Sequence, residues 1–350
     1  MVALDLRDAA VAWDEADVDG ATFAGCRLRA EDEGTVRARG AVVLPPLDVV
    51  GFEAYRGSLY SNEQLMAGYE PGRPETTYDA RVGAIARTPP TALVSLARGL
   101  HDACIDAALV RFLEATPRAV VGVMGSHATL RGHRDYVETA HLGRGLARAG
   151  YLVATGGGPG LMEAANLGAR LADAPDTALA EAVAHLARAP DYAADPAGYL
   201  ERAREVRARW PAVTENLGVP TWLYVDEPVN QFATHLAKYF DNSIRENGLL
   251  AIALGGVVFT PGGSGTAQEI FTDAAQNAYT LYGVRSPMVF LGRAEFEASP
   301  LVAGLRALAA EDGWEHLVRV VDDSNAVIGT LRELVPSTPT ETWPMRNRCS

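Results

Sequence analysis

The stretch Val257-Val258-Phe259-Thr260-Pro261-Gly262-Gly263-Ser264-Gly265-Thr266-Ala267-Gln268-Glu269 carries the residues best placed for chemistry. An apolar run enters a glycine-rich turn, and a helical pattern leaves it. Such a turn gathers backbone N–H groups in one concavity at the positive end of a helix, which suits an anion. Gly262, Gly263, Ser264, Gly265 and Thr266 are therefore candidate phosphate ligands. Glycine there permits φ > 0 and lets an anion approach the backbone. Glu269 follows within the first turn of the expected helix. A carboxylate beside a phosphate cradle suggests chemistry on a phosphorylated sugar, where it stabilises an oxocarbenium-like centre or activates water. The same spacing, Thr266 to Glu269, also reads as a capping box, in which the glutamate serves only the helix start.

Two further segments repeat the pattern of strand and glycine turn. Val121-Gly122-Val123-Met124-Gly125-Ser126 is one, and Thr155-Gly156-Gly157-Gly158-Pro159-Gly160-Leu161-Met162-Glu163-Ala164-Ala165-Asn166 is the other. Gly125, Ser126, Gly157, Gly158, Gly160, Met162 and Glu163 are candidate nucleotide contacts. For Glu163 the alternative is a helix-start carboxylate near the positive dipole.

The spacing PGGxGTxxE resembles the hallmark of the Lonely Guy (LOG) family, also called lysine decarboxylase-like. GGGPGLMEAAN and the Gly125-Ser126 turn resemble its other two elements, in family order over roughly residues 118–295. The resemblance implies a nucleoside 5′-monophosphate phosphoribohydrolase, releasing free base and ribose 5-phosphate. The base would be a purine or a cytokinin-like adenine, with pyrimidines possible. It implies no cofactor and no metal, and a homodimer or a dimer of dimers. Glu269 occupies the family's catalytic carboxylate position. Arg245, sixteen residues before Pro261, corresponds to the arginine of an M-x-x-R-K motif, with one residue inserted. Asn242 and Glu246 stand where that motif has methionine and lysine. The alternative for Arg245 is a helical pair with Asp241. A proton donor for the departing base is not singled out among Glu163, Asp241, Glu246 and Asp273. His127 is a loop histidine without an assigned role.

Two rival functions use the same residues. One is a non-catalytic carrier of a nucleotide or phosphorylated cofactor, since fold does not dictate function. The other takes the decarboxylase label literally and needs pyridoxal phosphate on a lysine; Lys238 is the sole lysine of the chain.

The composition narrows the class. With 350 residues, 48% hydrophobic and 21% charged, the chain can bury a large core. A net charge of −13 argues against a nucleic-acid or anionic-membrane surface and leaves a small anionic ligand open. No window approaches a membrane span, and Met1 to Asp8 lacks a signal-peptide pattern, so a cytoplasmic location is expected. Cys26, Cys104 and Cys349 are scattered and suggest neither disulfides nor a metal site.

The elements that must hold these residues alternate. Short apolar runs at 119–124, 151–155, 219–225, 257–260, 288–291 and 317–321 read as strands, separated by helical patterns at 136–149, 161–171, 231–253, 266–282 and 301–310. This predicts an α/β, Rossmann-like doubly wound parallel sheet with helices on both faces. Residues 1–115 are expected as an N-terminal extension, with a strand near 41–44, a loop over 60–90 and a helical lead-in over 91–113. Residues 116–334 form the nucleotide-binding domain, with a two-helix insertion at about 172–215 and a last helix at 326–334. Residues 335–350 read as a loose tail.

Overall fold

The computed structural model describes residues 1–224 and 227–334. The chain opens with β1 (Thr22–Ala24), α1 (Ala30–Ala38) and β2 (Val42–Leu44). These two strands pair in parallel around Trp13, Phe23, Val36 and Val43. Two short helices, α2 (Asn62–Leu65) and α3 (Tyr78–Ala86), lead to the long α4 (Ala92–Ala115). The main sheet then begins with β3 (Val120–Met124), α5 (Arg134–Arg148), β4 (Leu152–Thr155) and α6 (Leu161–Arg170). Helices α7 (Asp176–Leu186) and α8 (Pro196–Arg209) precede β5 (Leu217–Gly218), β6 (His235–Leu236) and α9 (Asn242–Ile252). The chain continues through β7 (Val257–Phe259), α10 (Ser264–Tyr279), β8 (Met288–Leu291), α11 (Arg293–Phe296), α12 (Pro300–Glu311), β9 (Val318–Val321) and α13 (Ser324–Leu334).

The seven strands β6-β5-β4-β3-β7-β8-β9 form one sheet, every pairing parallel. Alternate residues of each strand serve opposite faces. Val121, Val123, Val153, Val258 and Val289 meet Leu142, Leu146 and Val327 on one side. Val120, Met124, Leu152, Phe259 and Phe290 meet Ile105, Leu249, Ile270 and Leu305 on the other. The fold is therefore α/β and Rossmann-like, with both faces of a parallel sheet covered by helices. From β3 the chain steps outward through β4, β5 and β6, then crosses back to lay β7 on the other side of β3. Connections leaving β3 and β7 diverge, which opens a crevice beyond their C-terminal ends.

Four expectations need correction. Residues 231–253 do not form one helix: residues 235–240 are extended or paired, and α9 begins only at Asn242. A spacing of four, as in Phe232, Leu236 and Phe240, is a multiple of the strand period, so it fits both structures. Local caps settle it: the Asn230 side chain accepts the Phe232 and Ala233 N–H groups, and Asp241 caps α9 through the Ser243 and Ile244 N–H groups. The strand expected at 219–225 is paired only before it, at Leu217–Gly218, with an isolated bridge from Thr221 to Tyr239. Val225 and the tail 335–350 lie outside the described residues. The expected loop 60–90 contains α2 and α3, each held by its own cap, Ser61 and Thr77. Helix α10 starts at Ser264, not Thr266.

Helices α7 and α8 are anchored by a buried ion pair. Arg131 donates from Nε and Nη2 to the two oxygens of Glu163, both at 2.7 Å, and each side chain is 1% exposed. Tyr136 donates to the same carboxylate at 2.7 Å, and Arg131 also reaches the Tyr199 carbonyl of α8 at 2.8 Å. Breaking one partner leaves the other charge buried and unpaired. Glu163→Gln is expected to lower stability by about 3–5 kcal/mol, read as the shift in urea unfolding free energy against the native chain.

Candidate functional site

The C-terminal ends of β3, β4 and β7 converge so tightly that side chains are excluded. A Cβ built on Gly125 would stand 1.9 Å from Thr260 Oγ1, and one on Gly160 2.4 Å from the Ser126 carbonyl. The Ser126 N–H donates to the Pro261 carbonyl at 3.1 Å, and the Leu161 N–H to the Ser126 carbonyl at 3.0 Å. These bonds tie the three glycine turns into one floor. The Ser126 hydroxyl accepts the Ala128 N–H and shapes its own turn.

The turn at 261–266 presents the open end of α10. Gly263 is its N-cap, with no side-chain cap bond, and Gly262 to Gly265 are exposed. The first amides of a helix have no partner inside it, so they face the crevice. The glycines here do not use positive φ, contrary to expectation. Gly263 and Gly265 have nothing within 4 Å of a built Cβ, while Gly262 sits against Thr266 Oγ1. They leave open space in front of the first amides of α10. Gly157 and Gly160 are the ones at positive φ, +71° and +68°.

Because α10 starts at Ser264, Thr266 is the third helical residue and is buried. A capping box between Thr266 and Glu269 is thereby excluded. Glu269 stands in the second turn, its side chain 14% exposed. Burial pushes its carboxyl up to about 7; Arg245 opposes that rise and Glu246 adds to it.

Arg245 is buried on α9, where Asp241 starts the helix. Its Nε donates to the Val219 carbonyl at 2.8 Å and its Nη2 to the Gly156 carbonyl at 3.1 Å. Its Nη1 faces Glu246 at 3.8 Å and Glu269 at 3.9 Å. The alternative reading, a helical pair with Asp241, does not form; Asp241 is occupied as the cap. Asn242 and Glu246, the two departures from the LOG pattern, bond each other at 2.7 Å, and Gln268 of α10 donates to Glu246 at 2.6 Å. They act as a clamp between α9 and α10.

The structure thus brings together Gly125, Ser126, Gly157, Gly158, Gly160, Arg245, Gly262 to Thr266 and Glu269. Met162 lies beneath the wall, its Sδ and Cε each 2.7 Å from Cβ positions built on Gly156 and Gly158. Glu163 is turned away, consumed by Arg131 and Tyr136. Asp273, one turn beyond Glu269, is 1% exposed with Oδ2 unbonded, and burial keeps its carboxyl well above the usual range.

Sequence reasoning missed the opposite wall. Lys238 is buried and lies outside any helix: its Nζ pairs with Asp79 at 2.6 Å, and Trp222 Nε1 donates to the same Asp79 oxygen at 2.7 Å. A cavity of about 90 Å³ lies against this pair, lined also by Thr221, Tyr224 and Glu227. Burial raises the Glu227 carboxyl, opposed by Arg245, Lys238 and His127. The available signal was an acidic residue between aromatics and Pro228, just past the segment read as strand.

Residues 118–175 match the SLOG cluster4 family. This segment runs from β3 through β4 and α6. No curated protein matches the chain. Among solved structures, the molybdenum cofactor carrier protein from Chlamydomonas reinhardtii is 21% identical, covering 62% of this chain and 98% of its own, with a TM-score of 0.38. The molybdenum cofactor binding protein from Rippkaea orientalis is 15% identical, covering 63% and 98%, with a TM-score of 0.37. Among the described residues, no helix is long and apolar enough to cross a membrane.

Two outcomes follow from the site. A Cβ on Gly156 would stand 2.1 Å from Arg245 Nη2, the mobile end of a side chain, whereas one on Gly157 meets Pro220 at 2.8 Å and a positive φ. Gly156→Ala is expected to fold but to displace Arg245, so that a nucleoside 5′-monophosphate, should the crevice take one, binds at least tenfold more weakly by calorimetry, about 1.4 kcal/mol. Gly157→Ala is expected to lower the melting temperature instead. Glu269 has a folded-state pKa above its ordinary 4.5. Its stabilising contribution is full below pH 4.5 and is lost as pH rises through about 7, where the ionised form is penalised. Glu269→Gln is expected to stabilise the protein by on the order of 1–3 kcal/mol at pH 8 and by little at pH 4.5, read by denaturant unfolding at both pH values.

Proposed function

We propose that this chain hydrolyses the N-glycosidic bond of a nucleoside 5′-monophosphate, giving free base and ribose 5-phosphate. The carrying observation is Glu269: a buried carboxyl with a pKa near 7, beside Arg245, on the helix whose uncapped amides open the same crevice. From Ser264 to Glu269 the helix rises about 7.5 Å, a span of the order of a sugar phosphate. Phosphate on the amides of Gly262 to Thr266 would place the anomeric carbon near Glu269. The resemblance of three motifs to the LOG family supports the same reading, as does the match of residues 118–175 to a SLOG family.

In this reading Arg245 orients the ribose phosphate and offsets its charge, while the carboxylate of Glu269 steadies the oxocarbenium-like centre and activates water. Gly125, Ser126, Gly157, Gly158, Gly160 and Met162 shape the nucleotide wall. The reaction uses neither metal nor cofactor, and the substrate is a purine or cytokinin-type nucleotide. A homodimer or higher oligomer belongs to the same proposal.

A second reading has its own observation. Two of the Arg245 donor positions are spent on backbone carbonyls and the third faces two carboxylates. A guanidinium so occupied suits a rigid wall, as in a carrier that holds a nucleotide or phosphorylated cofactor without cleaving it.

The test is a panel of nucleoside 5′-monophosphates, with free base read by chromatography. Native chain is expected to release base, and Glu269→Gln to lose 10²–10⁴-fold in kcat. Because Glu269 must be ionised, kcat/KM is expected to rise about tenfold per pH unit below pH 7. Binding by calorimetry without release from any nucleotide would establish the carrier.

A further inference from the structure

We infer that Glu227 gives the proton to the departing base, and that the cavity between Glu227, Trp222 and Tyr224 receives that base. The inference rests on the glycosidase reading. Cleavage of an N-glycosidic bond leaves an electron pair on the base nitrogen, and a neutral purine departs poorly unless that nitrogen is protonated.

The other acids around the site are engaged or shut into the core. Glu163 holds Arg131 and Tyr136, Asp241 caps α9, Glu246 accepts from Asn242 and Gln268, and Asp273 is 1% exposed within the core. Glu227 stands elsewhere. A Cβ built on Gly158 would lie 3.2 Å from Glu227 Oε1, and one built on Gly156 2.1 Å from Arg245 Nη2. Glu227 and Arg245 therefore bracket one short glycine wall, with Glu269 on the far side of Arg245. A sugar placed over that wall would have one carboxyl on either side.

The cavity beside Glu227 suits a planar heterocycle. Tyr224, 46% exposed, supplies aromatic surface on which a base can stack, and the edge of Trp222 closes the wall beside it. Lys238 and the Trp222 indole are both fixed on Asp79, so the polar lining is set before a ligand arrives. Burial keeps the Glu227 carboxyl protonated to higher pH than an exposed glutamate, which is the form a donor needs.

The step balances without any redox partner. The C1′–N bond breaks and its electron pair goes to the base nitrogen, which takes the Glu227 proton. Water oxygen bonds to C1′ and its proton passes to the Glu269 carboxylate. Glu227 ends as carboxylate and Glu269 as acid, and exchange with solvent resets both.

The experiment compares guanosine 5′-monophosphate with 7-methylguanosine 5′-monophosphate, whose cationic base leaves without prior protonation. For Glu227→Gln, kcat is expected to fall 10²–10⁴-fold on the first and less than about tenfold on the second. Glu269→Gln is expected to fall on both. Equal loss on both nucleotides in a Glu227→Gln protein that melts like the native chain, or loss on neither, overturns the inference. Should the Gln variant not fold, Glu227→Asp gives the same reading: a retracted donor lowers the ratio of the two rates, and a structural role leaves it at the native value. If the native chain releases base from no nucleoside 5′-monophosphate of the panel, the glycosidase reading falls and this role falls with it; where it cleaves another purine nucleotide instead, that nucleotide and its 7-methyl cation replace the guanine pair. Native cleavage with an unchanged ratio in Glu227→Asp overturns the role of Glu227 alone.

Discussion

A buried guanidinium must find acceptors, and Arg245 finds them in the carbonyls of Gly156 and Val219. Those bonds tie α9 to the turn after β4 and to the segment after β5. With the α9 arginine fixed in this way, its remaining nitrogen faces the carboxyl of Glu269 on α10. Gly156 has to be glycine for this arrangement, because any Cβ there would occupy the space of Nη2. The crevice between diverging connections is a general product of the doubly wound sheet. What makes it specific here is this one arginine stitched into the floor.

Support for that arginine comes from outside the sheet. Asp102 of α4 accepts the Phe240 and Asp241 N–H groups at the entry to α9. It also takes His101 Nδ1 at 2.9 Å, while His101 Nε2 meets the Tyr60 hydroxyl at 2.9 Å. Burial shifts His101 toward the neutral ring, and a proton on Nδ1 serves both contacts, donating to Asp102 while Nε2 accepts from Tyr60. Tyr60 in turn pairs its backbone with Leu236 on the edge strand β6. The N-terminal hundred residues thus close an exposed sheet edge and brace the helix that carries Arg245. Asp79 of α3 adds the wall formed with Lys238 and Trp222.

The departures from the LOG pattern form a connected set. Glu246 in place of lysine would leave a stray charge, but Asn242 and Gln268 both donate to it. The added negative charge beside Glu269 helps keep that carboxyl near 7. A chain of net charge −13 can still face an anion here, because uncapped helix amides act at short range where the overall charge is screened.

The sequence by itself determined most of the alternating strands and helices and the glycine turns, and it marked Glu269 and Arg245 as candidates, since these rest on local periodicity and on motifs a few residues long. Apolar runs such as Val120–Met124 and Met288–Leu291 have one physical solution, a strand buried on both faces. Tertiary structure decided what local spacing leaves degenerate. Phe232, Leu236 and Phe240 fit strand and helix alike, and only the caps from Asn230, Asp241 and Asp102 chose. Glu163 and Glu269 look alike in sequence, each near a helix start after a glycine turn. Only packing shows that one is spent on Arg131 while the other faces the crevice. Asp79, Lys238 and Glu227 are far apart along the chain and gain their meaning from burial beside one cavity. The placement of a charge in a low-dielectric pocket is a property of the whole fold, and no window of sequence contains it.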